Sequence, residues 1–159
     1  MPLPSTYVPI ATQTLTAITA TPTFTNIPQG YTDLVISVEA GITGDFQFRI
    51  NGDSGTNYST TWIVGSSTTA TSVRVSNDNK IYLNYGSNST GRLIYIYLLN
   101  YSNTTIQKPT LVKTGHASGA VEISAGTWRN TAAINSITFS GVNSYPVGAT
   151  FTIYGIKAA

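Results

Sequence analysis

Residues 45–50 read Asp-Phe-Gln-Phe-Arg-Ile, which sends Phe46, Phe48 and Ile50 to one side and Asp45, Gln47 and Arg49 to the other. A period of two belongs to a strand with one wet face and one dry face. Related runs are Asp33 to Glu39, Tyr58 to Val64, Ser72 to Val75, Lys80 to Tyr85, Arg92 to Leu99, Thr110 to Lys113, Ala120 to Ala125, Ile134 to Phe139 and Thr150 to Ile156. Between them stand Asn51-Gly52-Asp53, Asn77-Asp78-Asn79, Gly86-Ser87-Asn88, Gly115 and Ser144-Tyr145-Pro146, residues that accept positive φ or close Asx-type turns. No stretch carries a helical period. The pattern predicts an all-β chain, an antiparallel β-sandwich. Eight strands in two facing sheets make a jelly roll and seven an immunoglobulin-like sandwich, which strand patterns separate poorly; a jelly-roll-like arrangement is the one expected here.

Two segments depart from simple alternation. Arg92 to Leu99 is apolar on both faces, which predicts a central strand covered on each side, one cover being another subunit. The front of the chain has prolines at 2, 4 and 9 and then a Thr-rich stretch, a composition that favours extended backbone and keeps out of sheet interiors. Such a segment is either a frayed end or an arm lying on a neighbour, with Leu3, Tyr7, Val8 and Ile10 as its apolar anchors. The division this predicts is an extended arm over residues 1–11 and one sandwich domain over 12–159.

Composition sharpens that picture. With 159 residues the chain is long enough for one core without a metal or disulfide, and with no cysteine it has neither a disulfide nor a thiolate site to use. Charged residues are only 9% of the chain, against roughly 25% in ordinary soluble domains. Thr, Ser and Asn take their place, so much of the surface can be buried against a neighbour without desolvating charge. The net charge of +2 is spread without a run or stripe, which argues against nucleic acid as a partner. The N-terminus lacks the basic start and apolar run of a signal peptide, and no segment approaches a membrane span, so synthesis in a cytoplasm and no membrane insertion are expected.

Candidate chemistry is sparse. His116, the single histidine, sits in a small-residue stretch with no nucleophile elbow nearby, and a lone histidine is more often packed or solvated than catalytic. Of six acids, Glu39 and Glu122 lie within strands and form the one plausible carboxylate pair. The Asn51 to Asn57 loop is rich in oxygen ligands but lacks the spacing of an EF-hand, and turn chemistry accounts for it. Four N-x-[ST] sequons, at Asn57, Asn88, Asn100 and Asn103, follow from the abundance of Asn, Ser and Thr. No catalytic residue, cofactor or metal is expected. Trp62, Trp128 and the tyrosines suit either a core or a sugar-stacking platform. Tyr82, Tyr95, Tyr97 and Tyr154 fall on strand patterns and favour packing in a core or interface, whereas Tyr58, Tyr85, Tyr101 and Tyr145 lie at strand ends or loops. Of these, Tyr58 and Tyr145 are the candidates to face a glycan.

Four stretches, Phe24 to Val35, Phe48 to Tyr58, Gly126 to Phe139 and Gly148 to Ile156, resemble a group of short virion proteins of tailed bacteriophages, including phages of cyanobacteria and other aquatic bacteria. The resemblance implies a self-associating β-sandwich on the particle surface with no catalytic residues. Two roles fit it. One is a homotrimeric capsid decoration or cement protein that fastens adjacent copies of the major capsid protein on the head. The other is a small tail-fibre or spike-tip domain that binds a host surface glycan. Read physically, Ile27 to Tyr31 is a turn with Pro28 and Gly30 at φ-restricted or φ-permissive positions, Trp128 caps the core, and the last strand is stitched into a sheet.

Overall fold

The computed structural model describes residues 6–42, 45–83, 92–115, 120–141 and 144–157. In chain order the strands are β1 (Tyr7–Thr14), β2 (Thr23–Phe24), β3 (Asp33–Ala40), β4 (Phe46–Ile50), β5 (Tyr58–Ser66), β6 (Thr69–Asp78), β7 (Ile81–Leu83), β8 (Arg92–Leu98), β9 (Lys108–Gly115), β10 (Ala120–Trp128), β11 (Ile137–Gly141) and β12 (Thr150–Ile156). No helix occurs among the described residues. A large eight-stranded sheet, β1-β12-β3-β8-β9-β10-β5-β6, faces a small four-stranded one, β2-β11-β4-β7, and every pairing is antiparallel. The chain is thus the antiparallel β-sandwich that its period-two pattern predicts.

The pairing follows a rule. Set aside the hairpins β5–β6 and β9–β10, and the first remaining strand pairs with the last (β1 with β12), the second with the second last (β2 with β11), the third with the third last (β3 with β8), and the middle two with each other (β4 with β7). The two hairpins both attach beyond β8 and widen the large sheet there.

The core lies where the two sheets face. Leu34, Ile36 and Val38 from β3, Ile94, Ile96 and Leu98 from β8, and Phe151 and Ile153 from β12 meet Phe46, Phe48, Ile50, Ile137 and Phe139 from the small sheet, all buried. Phe139 sits among Phe46, Phe48 and Phe151 with ring centroids 5.1–6.3 Å apart. The expected alternation of 46–50 is present, with Phe46, Phe48 and Ile50 buried and Gln47 and Arg49 half-buried. Side chains also reach the sheet where strands carry no side chain of their own. A Cβ on Gly126 would meet Thr110 Oγ1 at 2.6 Å and Ile81 Cδ1 at 2.7 Å, so β10 can lie against β7 only with glycine there.

β8 is central in the large sheet, as expected, but its outer residues Leu93, Tyr95 and Tyr97 are only partly covered in the isolated chain. The expected arm is corrected more sharply. From Tyr7 onward the segment is edge strand β1, hydrogen-bonded to β12 through Thr14, so residue 11 marks no boundary in the fold. Ile10 packs against its own core, Val8 is half-buried, and Pro9 stands at the bulge between Pro9 and Ala11. Proline fits there because an edge strand has a ladder side with no partner to serve. Leu3 lies outside the described residues. Likewise the 27–31 turn owes its shape to Asn26, at φ 56°, and to Gln29, whose amide donates to the carbonyls of Ile27 and Ile134; Gly30 needs no positive φ.

Candidate functional site

Tyr58 and Tyr145 are fully buried, which removes both as glycan-facing groups. The Tyr58 hydroxyl accepts from the Ile50 amide at 3.1 Å and lies 3.1–3.2 Å from the carbonyls of Asp53 and Ile50, and its ring stacks on Trp128. Burial pushes its phenol up to about 12. Tyr145 donates to the Ser140 carbonyl at 3.0 Å, crosses Phe151 edge to face, and is also shifted upward by burial. Tyr101, buried as well, donates to the Pro28 carbonyl. A phenol near a turn can turn inward when a backbone carbonyl accepts its hydrogen bond, and each of these does.

The remaining candidates also separate. Glu39 points out of the large sheet and Glu122 into it, three strands apart, or about 14 Å. They form no carboxylate pair. The oxygen-rich loop is a turn: Asn51 and Gly52, both at positive φ, close it with Asp53 N donating to Ile50 O at 3.0 Å. The Asp53 carboxylate accepts from Gly55 N, Asn57 Nδ2 and Trp128 Nε1 at 2.7–2.9 Å. Partial burial pushes its pKa up, but the three donors outweigh that and hold it below the ordinary value. Lys108, buried at the start of β9, donates to the carbonyls of Ile106 and Thr131, and desolvation lowers its pKa. These groups lock one end of the sandwich. His116 and Tyr85 lie outside the described residues. No group of three or more His, Cys, Asp or Glu that could hold a metal ion gathers among the described residues.

What the register does bring together is the outer face of the large sheet. It has two halves. Over β8, β9, β10 and β5 the outward positions carry Leu93, Leu111, Val121, Ile123 and Ile63, which are 39%, 42%, 63%, 57% and 58% exposed. Their neighbours in the ladder include Gly115, Gly65 and Ala125, with Lys113 opposite Ile123 and Ser72 opposite Ile63, and Ile63, Gly65, Ala70, Val121 and Ile123 line a shallow apolar dimple of about 250 Å³. Over β1, β12, β3 and β8 the outward positions are different: Tyr7, Tyr95, Tyr97 and Tyr154 surround Val35, Ser37 and Glu39 and line a cavity of about 320 Å³.

The seam between the halves is Lys113, on β9. Its ammonium lies 5.5 Å from the Tyr95 ring centroid and 5.3 Å from that of Tyr97. The Tyr97 hydroxyl beside it is the main cause that holds its pKa above the ordinary lysine value. Sequence patterning put Tyr95, Tyr97 and Tyr154 on strands but assigned them to packing, and it left Tyr7 to the arm. Their meeting depends on β3 lying between β8 and β12, a pairing between residues more than 50 positions apart in sequence. No family model, no curated protein and no solved structure matches the chain.

Proposed function

We propose that the chain is a structural assembly module, and more narrowly a bacteriophage virion protein of the decoration or cement kind. In this role it associates with itself and fastens adjacent coat subunits on the head. The observation that carries the assembly role is the aliphatic half of the outer face. Four strands at about 4.8 Å spacing, each contributing about 20 Å of length, give an area of roughly 380 Å². That lies within the size of the largest apolar patch on an ordinary monomer, roughly 300–600 Å², a class of patch that is often functional. It is also a large part of the roughly 800 Å² that each partner buries in a standard interface. Val121, Ile123 and Ile63 have no polar atom in their side chains to lose on burial, so covering them costs no hydrogen bond.

The strand order supports the narrower reading. First with last, second with second last, and so on inward is the pairing of a jelly roll, in which one long antiparallel ribbon is rolled into two facing sheets. We read the fold as a jelly roll with two added hairpins, an architecture that recurs in viral capsid and lectin domains. The virion identity itself rests on the resemblance of the four sequence stretches.

Light scattering on the purified protein tests the assembly role. A homotrimer is the expected state, and Ile123→Lys should convert it to a folded monomer, because a charge at the centre of a dry interface is left without a partner. A wild-type monomer at tens of micromolar, the range where a preassembled part should hold together, removes the role. Labelling of intact particles separates head from tail: signal on the head supports cement, and signal at the distal tail supports a receptor-binding tip.

A further inference from the structure

We infer that the tyrosine half of the outer face is a binding site for a short neutral saccharide chain, held along β3 between two aromatic banks. The register builds the trough. Val35 pairs with Tyr97 of β8 on one side and with Tyr154 of β12 on the other. Two strand spacings, about 10 Å, therefore separate the two phenol-bearing backbones, so a pyranose ring can rest on the two aromatic side chains above Val35. One step along, Ser37 lies between Tyr95 and Thr152, and a further step along, Glu39 lies between Leu93 and Thr150. The floor from Val35 to Glu39 runs about 14 Å, room for about two or three sugar units.

Each part of the trough suits a sugar. The banks are rings whose faces can stack on the C–H side of a pyranose, and their hydroxyls can trade hydrogen bonds with its hydroxyls. The floor offers Ser37 and the exposed carboxylate of Glu39, which can accept from two adjacent hydroxyls at once. A mostly aromatic lining with few polar groups is the usual make-up of a small-ligand site, and a cavity of about 320 Å³ lies at the small end of such sites.

The site is also held in place. Tyr7 stands edge to face against Tyr154 at 6.3 Å, so β1 braces the outer bank. Lys113 lies over Tyr95 and Tyr97 from β9, the strand on the far side of β8 from the trough, so the inner bank is braced from behind. Val35 is buried beneath the rings although it points outward. This inference stands apart from the assembly role, which uses the other half of the face.

The test is titration calorimetry of the full chain, in its native oligomeric state, with maltotriose, cellotriose, xylotriose and chitotriose. Saturable binding of at least one is expected, weakened about tenfold or more by Tyr97→Ala and by Tyr154→Ala and unchanged by Leu111→Ala. Tyr97→Phe keeps the ring and should keep most of the affinity, which guards against a folding defect. Glu39→Gln should weaken binding without changing the melting temperature. Absence of binding by all four trisaccharides, or binding that survives both Tyr→Ala changes, overturns the inference. So does preferential capture of a proline-rich peptide, which would show that the banks read a polypeptide.

Discussion

The two halves of the outer face share one backbone and one ladder, yet they offer a partner different things. At the β1-β12-β3-β8 side the four rings, Tyr7, Tyr95, Tyr97 and Tyr154, each carry a hydroxyl, and Ser37, Glu39, Thr150 and Thr152 lie between or beside them. At the β9-β10-β5 side the large side chains are Leu111, Val121, Ile123 and Ile63, with glycine and alanine between them. A ring with a hydroxyl is content in water and can accept a wet ligand and release it. An isoleucine more than half exposed is better off covered, and gains by staying covered. The same sheet therefore presents one surface suited to reversible contact and one suited to permanent contact, with Lys113 at the seam.

The largest effects should come from turning the comparison through the sheet, from its outer side to its inner side. Ile96 and Tyr97 are neighbours on β8, one inside the core and one on the trough bank. Ile96→Ala should cost about 2–5 kcal/mol in urea unfolding, because a fully buried side chain leaves a cavity. Tyr97→Ala should cost about 1 kcal/mol or less, since its ring is half open, while it removes sugar binding. Similar stability losses at the two sites would mean that the outer ring is structural and that no trough is needed to explain it.

A smaller effect separates the two sides of the aliphatic half. Gly126 faces inward, where an added Cβ would collide with Thr110 and Ile81, so Gly126→Ala should cost about 1–3 kcal/mol. Gly65 faces outward, and a Cβ there would meet only Val121 Cγ2, at 3.5 Å. Gly65→Ala should leave thermal stability within about 0.5 kcal/mol of the parent, as surface changes do. Its effect belongs in the association constant, because it fills part of the dimple between Val121 and Ala70.

Some of this was legible in the sequence. Phe46, Phe48 and Ile50 announce their common face by alternation alone, and the doubly apolar β8 announces a central strand. Local patterns also placed Tyr95, Tyr97 and Tyr154 on strands. They could not show that β12 returns to lie beside β3, which is what sets Tyr154 opposite Tyr97. Nor could they show where a phenol finds its acceptor. Tyr58 and Tyr145 looked open because they sit at strand ends, but Ile50, Asp53 and Ser140 supply backbone partners that draw them in. The prolines misled for a related reason. Pro9 is excluded from a sheet interior, but an edge strand with a bulge accepts it, and only the pairing partner β12 distinguishes that strand from a free arm.

The smallest expected effect is one of pH, and it separates fold from association. Asp53 draws three hydrogen bonds onto its carboxylate, and its pKa in the folded chain lies below the ordinary value. A depressed folded pKa means that the ionised carboxylate contributes stability above the ordinary carboxylate range. That contribution is lost as the pH falls through the depressed value. It is modest, no more than about 1 kcal/mol, because the group is near solvent and water competes for its partners. Asp53→Asn should therefore lower the melting temperature at neutral pH and flatten its fall in acid, most visibly through the fluorescence of Trp128, whose indole nitrogen donates to Asp53. The aliphatic half carries no carboxylate at Leu111, Val121, Ile123 or Ile63. Its association should hold across the same acid range until the fold itself gives way. An oligomer that comes apart before Trp128 reports any change would place a titrating carboxylate in the interface, and the assignment of assembly to the aliphatic half would fail.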